Sequence, residues 1–143
     1  MFLGEYNLSL DEKGRVVMPS KFRAELAAGC VVTKGQERCL YVFSVDRWQE
    51  EAAEVLKLPR TDRRARNFSR SFFASASDQT LDRAGRCQVP EPLRGAAGLT
   101  KDVTVVAVAD HIEIWDTATW EGVASVADDY YADIEEVLSE GGL

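Results

Sequence analysis

Residues 10–19 read Leu-Asp-Glu-Lys-Gly-Arg-Val-Val-Met-Pro, and residues 81–90 read Leu-Asp-Arg-Ala-Gly-Arg-Cys-Gln-Val-Pro. Aligned without a gap, Leu10, Asp11, Gly14, Arg15 and Pro19 fall on Leu81, Asp82, Gly85, Arg86 and Pro90. Chance seldom repeats half of a ten-residue stretch. An Asp-x-x-Gly-Arg segment between apolar residues reads as a tight turn between strands, because Asp bonds the backbone that follows and Gly supplies positive φ. The Arg leaves the turn on the return strand, beside a carboxylate able to fix its orientation. Pro lacks a ladder donor but suits a first helical turn, so it ends the strand. A single copy reads more readily as a structural hairpin with an ion pair; two copies imply more.

Working outward from the first turn, residues 3–10 alternate loosely between apolar and polar and predict a strand that forms a hairpin with residues 16–18. Residues 19–26 place Phe22 and Leu26 four apart, behind Pro19 and ahead of Gly29, and predict a short helix with Lys21 and Arg23 on its polar side. Residues 30–33 and 39–43 are β-prone and predict a second hairpin. Asp46 to Gln49 has capping-box spacing, and Trp48, Ala52, Val55 and Leu56 form a helical apolar stripe that Pro59 closes.

Residues 60–77 are the most basic part of the chain, with Arg60, Arg63, Arg64, Arg66 and Arg70 opposed by Asp62 and interleaved with Phe68, Phe72 and Phe73. Two readings stand side by side: a connecting helix whose phenylalanines pack while its arginines are solvated or meet a neighbour's acids, and a phosphate-facing helix. The first pattern then restarts. Leu93 and Arg94 stand where the first half has Phe22 and Arg23, in a segment weakened as a helix by Pro92, Gly95 and Gly98. Residues 103–109 and 112–115 flank Asp110 and His111 as a hairpin, Trp120 falls one residue beyond the register of Trp48, and a closing helix from Thr117 through Leu138 carries an acidic face. The division expected is a first repeat over residues 1–59, a basic connecting helix over 60–77 and a second repeat over 78–143. Halves of this size are near the lower limit for a self-sufficient core, so an α+β pair packed about a pseudo-twofold axis, with both Arg-bearing turns on one side, is the simplest architecture.

Composition narrows the function classes. The chain is 45% hydrophobic and 29% charged, as expected of a globular protein. No apolar run has membrane-spanning length, and the start lacks the pattern of a signal peptide, which predicts a cytoplasmic protein. Cys30, Cys39 and Cys87 are widely spaced and suggest buried thiols, neither a disulfide framework nor a zinc ribbon. With His111 the single histidine, neither a metal site nor a cofactor is expected, and no nucleophile motif accompanies it. His111 itself reads as a surface turn residue. The net charge of −7 argues at first against a polyanion partner, but its distribution reverses that. From Asp110 onward there is no Lys or Arg and the formal charge is −10, which leaves +3 on the rest. A basic body joined to an acidic tail hints at polyanion binding.

The start Met-Phe-x-Gly-Glu-Tyr, the doubled Asp-x-x-Gly-Arg turns and the run Ile112-Glu113-Ile114-Trp115 together resemble the MraZ family over essentially the whole chain. That resemblance implies a tandem duplicated swapped-hairpin β-barrel of the AbrB class with flanking helices. It also implies a homo-oligomeric ring, association with the nucleoid, and binding of double-stranded DNA at short direct repeats upstream of its own division and cell-wall genes, most simply as a repressor. Arg15 and Arg86 match the arginines of the family signature, and Asp11 and Asp82 its acids, with Gly14 and Gly85 completing the turns. Lys13 stands in the first turn where the second has the neutral Ala84 beside Arg83. The first turn, with Lys13, Arg15, Lys21 and Arg23, is therefore expected to form more of the DNA surface, and the second to add Arg83 and Arg86. Arg bonds guanine N7 and O6 bidentately in the major groove, which a two-stranded ribbon is narrow enough to enter. The Asp partners either orient these guanidinium groups or hold the turns shut. The competing class is a self-assembling or protein-interaction module that reads no DNA.

Overall fold

The computed structural model describes residues 1–141. In chain order it contains β1 (Phe2–Ser9), β2 (Arg15–Val17), a 3-10 turn (Ser20–Phe22), β3 (Cys30–Lys34), β4 (Leu40–Ser44), α1 (Val45–Leu56) and α2 (Arg63–Ser75). There follow β5 (Ser77–Gln79), β6 (Arg86–Gln88), α3 (Glu91–Ala96), β7 (Asp102–Ala109), β8 (Ile112–Asp116), α4 (Thr117–Ala132) and α5 (Glu135–Gly141). The protein is a mixed α+β chain whose strands all pair antiparallel.

The first strand of each half leaves its own half to find a partner. β1 pairs along its whole length with β7, while β5 pairs with β3. The hairpins β3–β4 and β7–β8 meet through β4 and β8, giving a six-stranded sheet in the order β1-β7-β8-β4-β3-β5. β2 and β6 form a separate two-stranded ribbon. In that ribbon Val16 lies opposite Cys87, and where β4 meets β8 Tyr41 lies opposite Glu113. Each of these residues faces its own repeat equivalent, as a pseudo-twofold axis through both pairs requires.

Strand alternation sorts the side chains into two layers. Val32, Leu40, Val42, Val103, Val105, Ile112 and Ile114 point to one face, where Val16 and Cys87 of the ribbon, Phe22, Leu26 and Leu93 complete the main core. On the opposite face Phe43 meets Val55 of α1 and Phe72 of α2, with Trp48, Phe68 and Phe73 around them. Trp115 contacts Trp120 of α4 on that same face, at 5.6 Å between ring centroids. The long helices and the β2–β6 ribbon therefore lie on opposite sides of the sheet.

Several local expectations change. Residues 3–10 and 16–18 do not form a hairpin with each other, because the turn hands β2 to β6 and leaves β1 to β7. The helix expected over residues 19–26 is a 3-10 turn followed by irregular turns, whereas the segment with Pro92 is the true α-helix. Pro92 sits in the first turn of α3, where its missing N–H costs no helical bond. Helix α1 is capped by Ser44, whose hydroxyl accepts from the Arg47 N–H at 3.3 Å, so it begins before the expected box at Asp46. Leu56 falls off its buried stripe and is exposed. The closing helix is broken between α4 and α5 at Asp133 and Ile134, and Leu138 lies in the second piece. All three cysteines are buried and free.

His111 is less exposed than a turn position suggests. Its ring lies against both Tyr41 and Phe43, with Nδ1 at 2.8 Å from Asp110 Oδ1 and Nε2 at 3.6 Å from Glu113 Oε2. The bond to Glu113 raises its pKa above the ordinary histidine value, and burial opposes this. Among the described residues no three His, Cys, Asp or Glu side chains are grouped to hold a metal ion, and no helix is long and apolar enough to cross a membrane.

Candidate nucleic-acid interface

The two turns are built alike from the backbone up. Asp11 Oδ1 accepts from the N–H groups of Lys13 and Arg15 at 3.0 and 2.8 Å, and the Gly14 N–H donates to Asp11 O at 3.0 Å. In the second turn Asp82 Oδ1 accepts from Ala84 and Arg86 at 3.0 and 2.9 Å, and the Gly85 N–H donates to Asp82 O at 2.9 Å. Gly14 and Gly85 have φ of +77° and +78°, a backbone that glycine adopts without the steric penalty of a Cβ.

The remaining oxygen of each Asp holds the arginine. Nε of Arg15 donates to Asp11 Oδ2 at 2.6 Å, and Nε of Arg86 donates to Asp82 Oδ2 at the same distance. One carboxylate thus both closes the turn and holds the guanidinium of its own arginine. The terminal Nη groups of Arg15 and Arg86 have no acceptor among the described residues. They form a fork of donors facing away from the carboxylate.

Ribbon register then decides where those forks go. Arg15 lies opposite Gln88 and Arg86 opposite Val17. Cross-strand partners share a face, so all four lie on the face opposite buried Val16 and Cys87. The two arginines are diagonal on a three-pair ribbon, about 7 Å apart along the strand direction. Lys13 and Arg83 are exposed within the turns that flank this face.

Arg23 occupies a different place from the one expected. It does not stand beside the first turn; its guanidinium lies against Gly85 of the second, and its Nε donates to Met18 O at 3.2 Å. Arg94 does the converse, lying against Gly14 and donating to Val89 O. The crossing follows from β2 pairing with β6: the chain after each turn runs alongside the other turn, with Met18 N bonding Gly85 O and Val89 N bonding Gly14 O, both at 2.9 Å. Lys21 is exposed and holds its ammonium 5.2 Å from the Tyr6 ring centroid. Sequence reasoning passed over Arg94 and Gln88, whose side-chain amide donates to Lys13 O at 2.7 Å. The repeat alignment signalled Arg94, by setting it over Arg23.

This cross-bracing makes a separable prediction. Arg94→Ala is expected to speed amide exchange in the first turn, at Gly14 and Arg15, and Arg23→Ala in the second, at Gly85 and Arg86. The expected size is about fivefold, equivalent to roughly 1 kcal/mol for one half-buried hydrogen bond. Exchange by NMR that rises in the turn nearest in sequence, instead of the turn across the ribbon, contradicts the bracing.

Protonation acts on both turns together. The Arg15 backbone N–H, reinforced by its side chain, holds the Asp11 carboxyl below its ordinary pKa, and Arg86 does the same for Asp82. A depressed carboxylate lends stability that is present in full above its unfolded value and lost as pH falls through the folded value. Turn geometry is therefore expected to hold from neutrality down to about pH 4 and to loosen below it. An acid titration followed at the Lys13, Ala84, Arg15 and Arg86 amides reads this, and amides that move near pH 6 would contradict it.

The duplication thus places one aspartate-held arginine from each half on the same outward face of the ribbon. The family described as "MraZ protein, putative antitoxin-like" matches residues 1–71 and again residues 72–136. Proteins named "Transcriptional regulator MraZ" from Salinispora tropica and Salinispora arenicola are each 47% identical to this chain over 141 residues, covering 99% of both sequences. One of the same name from Micrococcus luteus is 43% identical with the same coverage. The chain belongs to the MraZ family, whose relatives here are named for regulating transcription and not for catalysis.

Proposed function

We propose that this protein is a sequence-specific DNA-binding transcriptional regulator that reads promoter DNA with the outward face of the β2–β6 ribbon. The observation carrying this reading is the pair of aspartate-oriented arginines on that one face. Arg15 and Arg86 present their Nη forks to guanine edges in the major groove, while Lys13 and Arg83 neutralise the flanking phosphates. Lys21 lies further out as a phosphate contact, and Arg23 acts through the second turn that it braces. The first turn carries a cation at its third position where the second has Ala84, so the two half-contacts differ in strength.

The exchange of first strands between repeats 1–59 and 78–143, joined by the basic stretch 60–77, gives a swapped-hairpin barrel in this reading. It sets the acidic α4 on the far side of the sheet from the ribbon, which reconciles DNA binding with a net charge of −7. Copies assemble as a ring in the cytoplasm, at the nucleoid. Several ribbons then engage successive direct repeats upstream of the protein's own operon, with avidity that depends on matching spacing. The bound ring represses that operon.

Fluorescence anisotropy with the chain's own upstream DNA tests the reading. Affinity is expected to fall steeply with salt, with a log–log slope of about −4 or steeper if four or more cations meet phosphate. Equal affinity for scrambled duplex at every salt concentration would remove sequence reading from the proposal.

A further inference from the structure

The outward face of the β2–β6 ribbon carries two side chains besides the arginines. Arg15 lies opposite Gln88, and Val17 opposite Arg86. In the gap-free repeat alignment Arg15 falls on Arg86 and Val17 falls on Gln88. The twofold relating the halves therefore keeps the arginines alike and leaves this face unequal at one pair, Val17 and Gln88.

The two differ in what they offer a ligand. Val17 is 43% exposed and presents an apolar surface, whereas Val16 on the other face is wholly buried. Gln88 is half-buried, and its Nε2 donates to Lys13 O at 2.7 Å and to Val89 O at 3.4 Å. Both amide hydrogens are thus turned to the ribbon's own backbone, and Oε1 has no partner among the described residues. Gln88 offers an acceptor where Val17 offers only carbon. Cross-strand partners stand about 5 Å apart at Cβ, within reach of neighbouring base pairs stacked about 3.4 Å apart.

Phosphate contacts carry no base information, and two like arginines read alike. A face built from those parts alone matches a site with the same local symmetry and reads no direction along the duplex. We propose that Val17 and Gln88 are the specificity-determining residues that give the ribbon a direction. Val17 packs on a thymine methyl beside the base read by Arg86, and Gln88 Oε1 accepts from the exocyclic amine of an adenine or cytosine beside the base read by Arg15. Repeats that all run one way require such an unequal pair. This role rests on the DNA reading proposed for the same face.

Selection from randomised duplexes, with thermal melting as a check on folding, compares wild type with Val17→Gln and Gln88→Val. Wild type is expected to select thymine beside one guanine and adenine or cytosine beside the other. Gln88→Val should lower the preference for the amino-bearing base at least fivefold and keep that for thymine, and Val17→Gln should do the reverse. A second measurement leaves the protein untouched. Deoxyuridine in place of the selected thymine removes only a methyl group, and should weaken wild type about threefold and Val17→Gln not at all. Base preferences that stay unchanged in both variants, or a wild type indifferent to the methyl group, would overturn the assignment while leaving the DNA reading by Arg15 and Arg86 in place. A wild type that selects no sequence at all would remove sequence reading from the proposed function, and this assignment with it.

Discussion

Replacing Arg15 and Arg86 together by alanine is expected to lower affinity for promoter DNA by about a thousandfold, with the protein still folded. A bidentate contact to guanine discriminates by about 1–3 kcal/mol, and two at the middle of that range combine to roughly 4 kcal/mol. The ribbon should survive, because Val16 and Cys87 are wholly buried on its other face while Arg15 and Arg86 are partly exposed. Each turn keeps its Asp-to-backbone bonds, which do not use the guanidinium. Arg15→Lys separates orientation from charge: a lysine keeps the positive charge but cannot hold the carboxylate and a base edge at once. It should recover nonspecific binding and little of the specific affinity. If the double alanine variant binds its promoter within threefold of wild type, the ribbon face does not read DNA.

The second large effect lies on the far side of the sheet. Phe72→Ala is expected to destabilise the protein by about 3–5 kcal/mol, the range for removing a buried phenylalanine, and to lower the melting temperature by roughly 10 °C. Phe72 is 4% exposed and stacks on Trp48 at 5.2 Å and on Phe68 at 5.7 Å, with Phe73 edge-on at 5.4 Å. Its carbonyl accepts from the buried Thr33 hydroxyl at 2.7 Å, so the same residue fastens α2 to β3 through its backbone while its ring packs with Phe43 and Trp48. Substituting alanine opens a void among rings too rigid to refill it. Arg63→Ala, on the exposed side of α2, should change stability by less than about 0.5 kcal/mol. Well below the melting temperature, Phe72→Ala should bind DNA almost as wild type does, since the sheet separates this cluster from the ribbon. A melting point within 2 °C of wild type would show that α2 is held by other contacts.

Much of this was legible in the residues because it is local. The positive φ at Gly14 and Gly85, the Asp side chains folded back on the turn backbone and the arginines beside them need no information beyond five consecutive residues. The gap-free repeat also announces two equivalent halves. The phenylalanines of α2 and the stripe of α1 were readable as packing faces for the same reason: helical spacing alone puts them on one side.

Other features depend on which strand meets which. A turn of one sequence can return its chain to the strand before it or deliver it elsewhere, and the local energy is nearly the same in both cases. Burial decides the matter. Val16 and Cys87 reach the common core by facing each other across the axis, and Phe2 of β1 is buried with β7 on the sheet. From that choice follow the crossing of Arg23 and Arg94 to opposite turns and the diagonal placement of Arg15 and Arg86. The bare end of α4 has the same origin, since only the complete tertiary arrangement shows that nothing among the described residues covers it. The sequence by itself determined the two turns and the chemistry each carries. Tertiary structure alone decided that they share one outward ribbon, because strand exchange is selected by long-range burial and leaves no mark on local propensity.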